Sequence, residues 1–174
     1  MIVVEDPKDN IWTENPHLEL VTEFKDFKDK EGTRKSSKIL TAIYLIWDPK
    51  SNLRNAGMSD LEILEDVTNN YLSYKDFNWD DYGYIKDIYF EKCISKTEKL
   101  FLRIESDLDD FNNILEKYKF SKDNAADRAK LTKEYKALLL EYMDVKTRVQ
   151  EEKKNMNQNR DNYTDSLIES FGQG

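Results

Sequence analysis

One histidine, His17, and one cysteine, Cys93, are the side chains in this sequence best suited to acid–base or nucleophilic chemistry. A Ser-His-Asp or Cys-His centre has to use His17, and no nucleophile elbow of the G-x-S-x-G type is present to meet it. His17 follows Asn15-Pro16 at the start of an expected helix, the ordinary place for a capping or surface histidine. Cys93 stands one residue before Ile94, with no neighbouring motif that lowers a thiol pKa, so it reads as a small packing group. A lone cysteine also excludes an internal disulfide and a cysteine-based zinc site. Asp76, Asp80, Asp81 and Asp87 offer hard oxygen ligands, but their spacing fits no EF-hand loop and the turn glycine is missing. With 35 acidic residues, chance pairs of carboxylates are guaranteed and indicate no hydrolase. No Gly-rich phosphate cradle of the G-x-x-x-x-G-K or G-x-G-x-x-G type occurs. The expectation is a protein that is not an enzyme, with no catalytic residue, no cofactor and no metal ligand.

Nucleic-acid chemistry is little better served. Arg34, Lys35, Lys38, Lys50 and Arg54 form a local basic group, yet the chain carries 27 basic against 35 acidic side chains, a net charge of −8. No familiar nucleic-acid module accompanies them, so incidental proximity to DNA is the most they imply.

The elements that would position these residues are helical. Five glycines and three prolines leave few tight turns, which argues against a sandwich or barrel. Charged residues reach 36%, in mixed sign, as on long solvated helices. Aromatics at 12% argue that most of the chain folds. The amino terminus shows no basic stretch leading into a long apolar run, so no secretory signal is expected.

The run Ile39–Trp47 is apolar apart from Thr41. It is far shorter than the roughly 20 residues of a membrane span, so no membrane partner is expected. A helix apolar on most of its surface is buried in protein. Residues 34–47 therefore read as a central helix, stopped at Asp48 because Pro49 disfavours helical geometry before it. A helix with Leu20, Phe24 and Phe27 at helical spacing precedes it, ending at Glu31-Gly32. Ser59-Asp60-Leu61-Glu62 has the spacing of a capping box and opens a helix over about 59–70 that carries Leu61, Leu64 and Val67 at steps of three. The aromatic, acidic stretch 71–83 has no assignable backbone. Residues 1–14 read as an arm whose Ile2, Val3, Val4, Ile11 and Trp12 dock on a surface, with a short edge strand at 2–4 as one option.

Beyond residue 84 the pattern is regular. Phe90, Ile94, Phe101, Ile104, Leu108, Phe111 and Leu115 fall on one run of alternating four- and three-residue steps completed by Thr97. Leu131, Tyr135, Leu138, Tyr142, Val145 and Val149 form a second. Each is a heptad seam. Helices over about 84–118 and 125–156, each ~50 Å long and joined by the polar loop 119–124, predict an antiparallel hairpin. The expected fold class is all-α. A 1–14 arm leads into a 15–83 helical body, an 84–156 hairpin and a 157–174 tail.

Three further groups bear on assembly. Ile85, Ile88, Tyr89, Leu139, Leu140 and Met143 widen the apolar stripe and face either the body or another subunit. Trp12, Arg54, Leu167, Ile168 and Phe171 are candidates for subunit contacts. Residues 33–58 carry a charge of +4 and residues 59–84 one of −6. Such patches, if both reach the surface, favour head-to-tail association into a ring or filament.

The run IYLIWDPKSNLRN, a buried helix breaking at Asp48-Pro49-Lys50-Ser51 into a polar loop, resembles small structural proteins of large tailed bacteriophages, including crAss-like phages. The likeness covers roughly residues 11–72. It implies a virion protein of the head–tail connector type. Such a protein is a homo-oligomeric ring beneath the portal that contacts portal and tail or neck proteins and passes through the host cytoplasm during assembly. Under it Asp48, Pro49, Lys50 and Ser51 form a structural turn, Asp48 caps loop N–H groups and Arg54 pairs with an acidic neighbour. The alternative is a hairpin scaffold or adaptor that acts during assembly and is absent from the mature particle.

Overall fold

The computed structural model describes the backbone of residues 2, 4, 6–117 and 124–171, with side chains described as far as Asn155 apart from that of residue 55. The chain is all-α, with no strand among the described residues. It divides into two compact units, Met1–Ser95 and Lys96–Gly174.

The first unit is built around α3 (Thr33–Trp47). Every residue from Ile39 to Ile46 is buried, as expected of a helix apolar on all sides. Around it pack α1 (Ile11–Glu14), α2 (Thr22–Glu31), α5 (Asp60–Asp66) and α6 (Gly83–Lys92). Phe24 and Phe27 enter the core from α2, Val67 and Leu72 from a π-helical turn after α5, and Ile85 and Tyr89 from α6. The docked arm contributes Ile2, Ile11 and Trp12. Asp48 leaves α3 in extended geometry, φ −75° and ψ 126°, as its following proline requires.

The stretch 71–83, illegible in sequence, forms an aromatic wall. Phe77 stacks on Tyr82 at 5.1 Å, and Trp79 sets its edge against both Phe77 and Trp47. The Trp79 Nε1–H donates to Thr68 Oγ1 at 2.9 Å, which fixes the ring. Ser73 and Asp76 sit at positive φ, 49° and 61°, and reverse the chain on either side of Tyr74.

The second unit is the hairpin of α7 (Lys96–Lys117) and α8 (Ala125–Phe171). Phe101 stacks on Tyr142 at 5.2 Å, while Phe111 meets Tyr135 at 6.3 Å. Residue numbers rise along one helix as they fall along the other, so the pair is antiparallel. Phe101, Ile104, Leu108, Val145 and Val149 are buried in the seam, flanked by Leu102, Tyr135, Leu138 and Tyr142. Leu115 and Leu131, also expected in the seam, are half-buried.

Several expectations need correction. The first rod is not continuous from 84: it breaks at residues 93–95, so Phe90 and Ile94 pack in the core of the first unit and not in the hairpin. The apolar steps continue in phase across the break and conceal it. The signal for it is Ser95-Lys96-Thr97-Glu98, a second capping-box spacing directly before α7. Leu20 is 86% exposed and Leu18 buried in its place, because residues 16–20 turn as a 3₁₀ helix and shift the inward face. Leu61 is exposed, and Ile63 takes the inward position beside Val67. Helix α8 does not end near 156 but continues to Phe171 through the expected tail.

Candidate functional site

The turn after α3 gathers the strongest polar chemistry of the interior. Asp48, Lys50 and Ser51 are each 2% exposed or less. Asp48 Oδ1 accepts from the Lys50 backbone N–H at 2.8 Å, the capping role expected of it. Its other oxygen, Oδ2, accepts from the Tyr89 hydroxyl at 2.6 Å and lies 3.8 Å from Lys50 Nζ. The Ser51 hydroxyl donates to Leu45 O at 2.8 Å and receives the Leu53 N–H at 3.3 Å. The Tyr44 hydroxyl donates to the Lys50 carbonyl at 3.2 Å.

The local sequence explains this arrangement. Pro49 ends α3 and leaves carbonyls near its C-terminus without intrahelical donors. Ser51 satisfies one of them, that of Leu45, and then caps α4 (Asn52–Asn55). Because the turn folds inward, its carboxylate and ammonium are buried together, and each lessens the other's cost of leaving water. Tyr89, from a helix 41 residues away, completes the network. Burial first and the Asp48 carboxylate second push the Tyr89 hydroxyl well above its ordinary value of 10.0, so it remains a neutral donor. With every member buried, the network has no open face for a substrate. What it does is lock the end of α3 to α6.

The structural turn of Asp48, Pro49, Lys50 and Ser51 is thus present, and its tie to Tyr89 was not visible in sequence. The only hint was a tyrosine beside apolar positions, whose hydroxyl needs a partner when buried. Arg54 does pair with an acidic neighbour: its Nη2 lies 3.0 Å from Asp60 Oδ1, and Nη1 reaches Trp47 O at 3.4 Å. The guanidinium is thus engaged within the chain. Trp12, also expected at a subunit contact, is corrected: its ring is buried, and its Nε1–H donates to Ser36 Oγ at 3.0 Å. Leu167, Ile168 and Phe171 lie outside the residues whose side chains are described.

The charge blocks also change character. Lys50 is interior, Arg54 is tied to Asp60 and Lys35 to Glu31, leaving Arg34 and Lys38 as the basic residues of this block without an ion pair among the described residues. Glu65, Asp66, Asp76, Asp80 and Asp81 remain exposed on the acidic side. The basic block is therefore largely neutralised within the chain, while acidic residues of the second block stay exposed. His17 is exposed and Cys93 buried. Among the described residues no three His, Cys, Asp or Glu side chains are grouped to hold a metal.

On the hairpin, the seam side chains point between the helices, while Leu139, Leu140 and Met143 of α8 are exposed. On α7, Leu100 and Ile114 are exposed in the same way. No described helix is long and apolar enough to cross a membrane.

Comparison with known proteins gives one family. The family described as Syntaxin-like protein matches residues 83–172, just over half of the 174-residue chain, and the chain belongs to it. No curated protein and no solved structure matches.

Proposed function

We propose that this member of the Syntaxin-like family is a structural subunit of a larger assembly, with its hairpin as the contact element. The observation that carries this reading is the patch of Leu139, Leu140 and Met143, which are 38%, 69% and 58% exposed. Three large apolar side chains within two turns of an otherwise charged helix favour a partner surface that covers them. The seam is already filled by Val145, Val149 and their partners on α7, so the patch is surplus to the hairpin itself. A helical face of the same kind from a second copy fits it, as in bundles held by more than one seam.

The finer reading is a head–tail connector or neck ring subunit of a tailed-phage particle, oligomeric beneath the portal and joined to tail proteins. Its support is the likeness of residues 11–72 to phage structural proteins, together with a hairpin whose apolar surface exceeds one seam. The protein then resides in the virion and, during assembly, in the host cytoplasm.

Sedimentation and negative-stain imaging of the purified chain test the proposal. Rings or discrete oligomers are expected for the wild type, and monomers for a Leu140→Lys/Met143→Lys variant of unchanged helicity. A wild type that stays monomeric at high concentration and is absent from purified particles overturns it. Mass spectrometry of purified particles separates the connector from an assembly scaffold, which is missing from the finished virion.

A further inference from the structure

Between the docked N-terminal segment and α3 lies a cleft of about 460 Å³. Its walls come from three separate stretches, 7–10, 33–38 and 70–71. Two long-range hydrogen bonds hold them in place: the Tyr71 hydroxyl donates to Pro7 O at 2.7 Å, and the Ile11 N–H donates to Ser37 Oγ at 3.0 Å. The cleft is therefore a product of the tertiary fold and not of one surface helix.

Three cations, Lys8, Arg34 and Lys38, line it against a single carboxylate, Asp9. None of the three forms an ion pair among the described residues, whereas Lys28, Lys35 and Arg54 nearby in sequence all do. Arg34 and Lys38 stand four residues apart on one helix, a like-charge spacing that is unfavourable unless an anion neutralises it. Lys38 is held in position: its Nζ donates to Tyr71 O at 3.3 Å and sits over the rings of Tyr71 and Tyr74. Ser37 is 6% exposed and lines the same cleft. Its oxygen already accepts from Ile11, and its own proton has no acceptor among the described residues. Ser37, with its buried hydroxyl, Arg34, with no carboxylate partner among the described residues, and the two lysines thus line one concave space together with Pro7 and Tyr71.

We propose that this cleft binds a small organic phosphate. Arg34 supplies a planar fork for two phosphate oxygens, Lys38 and Lys8 supply charge, and Ser37 donates its proton to a third oxygen. The volume falls in the range of small-molecule sites and accommodates a ligand of about mononucleotide size. The Pro7 and Tyr71 side then faces the organic part.

Titration calorimetry on the full chain at low salt, with adenosine monophosphate, inorganic phosphate and a single-stranded oligonucleotide as probes, tests this site. Saturable binding of the nucleotide is expected, with inorganic phosphate weaker and competing. Arg34→Gln and Lys38→Gln should each weaken it by about tenfold, the loss of one charge-assisted hydrogen bond. Ser37→Ala should weaken it less. Arg34→Gln should retain the wild-type melting temperature, read in parallel, whereas Ser37→Ala should lower it, because it leaves the buried Ile11 N–H without its acceptor. Glu23→Gln, which alters an exposed charge away from the cleft lining, should bind as the wild type does. No saturable binding of either small probe to the folded wild type overturns the proposal, as does binding that survives Arg34→Gln and Lys38→Gln together. An oligonucleotide that binds far more tightly than the mononucleotide, with a steep salt dependence, assigns the cations to a nucleic-acid surface and also overturns it.

Discussion

The Tyr89 hydroxyl donates to Asp48 Oδ2 at 2.6 Å across 41 residues of chain, with both side chains fully buried. This bond connects the end of the central helix to the last helix of the first unit. Tyr89→Phe keeps the ring's packing and removes the donor. It should cost about 1.5–3 kcal/mol, as for a hydrogen bond to a charged group. Asp48→Ala should cost more, about 3–5 kcal/mol, because it leaves the Lys50 ammonium buried without its carboxylate. Urea unfolding followed by tryptophan fluorescence reads both, since all three tryptophans lie in this unit. In a double-mutant cycle, Asp48→Asn and Lys50→Met should be non-additive by about 0.5–3 kcal/mol.

The same pair sets an alkaline limit. Burial and the Asp48 carboxylate raise the Tyr89 hydroxyl well above its ordinary value of 10.0. In the unfolded chain the hydroxyl ionises near that value, and in the folded chain it keeps its proton. Above pH 10 the unfolded state therefore binds fewer protons, and stability falls as pH rises. The contribution is complete below pH 10 and is lost progressively above it. Tyr89→Phe should begin less stable but show a shallower decline of unfolding free energy over that alkaline range.

The hairpin seam offers a test of architecture. Ile104 is buried and Leu138 packs against the same cluster. Ile104→Ala should cost about 2–5 kcal/mol, the transfer term plus the cavity left behind. Lysine at Ile104 and Leu138 together should abolish the pairing of α7 with α8 and with it much of the helicity. Circular dichroism at 222 nm and sedimentation measure the two effects. Helicity unchanged by that double substitution would falsify the seam.

Ser59 and Glu62 cap α5 reciprocally: Glu62 N–H donates to Ser59 Oγ at 3.3 Å, and Ser59 N–H donates to Glu62 Oε2 at 2.9 Å. Ser59→Ala should cost about 1 kcal/mol. The bonds from the Ser59 backbone and then its hydroxyl hold the Glu62 carboxyl below its usual 4.5. This contribution is present above that value and fades as pH falls through the lowered one. A Glu62→Gln variant should lose less stability on acidification, measured by thermal melts across that range.

Patterns confined to a few turns could be read from the residues alone. The heptad steps from Phe101 to Phe111 and from Tyr135 to Val149 specify which faces meet, because helical geometry repeats them every turn wherever the helix lies. The Ser59 capping box and the stop at Asp48-Pro49 are equally local, set by backbone sterics and by side chains three residues away or fewer. Other features depended on distant chain. The in-phase apolar steps through Phe90 and Ile94 fit a single rod. Packing around α3 assigned them to the body, and the one sequence sign of the break is the capping-box spacing from Ser95 to Glu98. Lys50 looked like surface charge until the turn folded inward onto Tyr89, and Trp12 looked like a sticky arm until Ser36 took its N–H. Burial is a property of the whole fold: a charge or an indole is inside only if a partner from elsewhere in the chain meets it there. No spacing within its own segment records that partner.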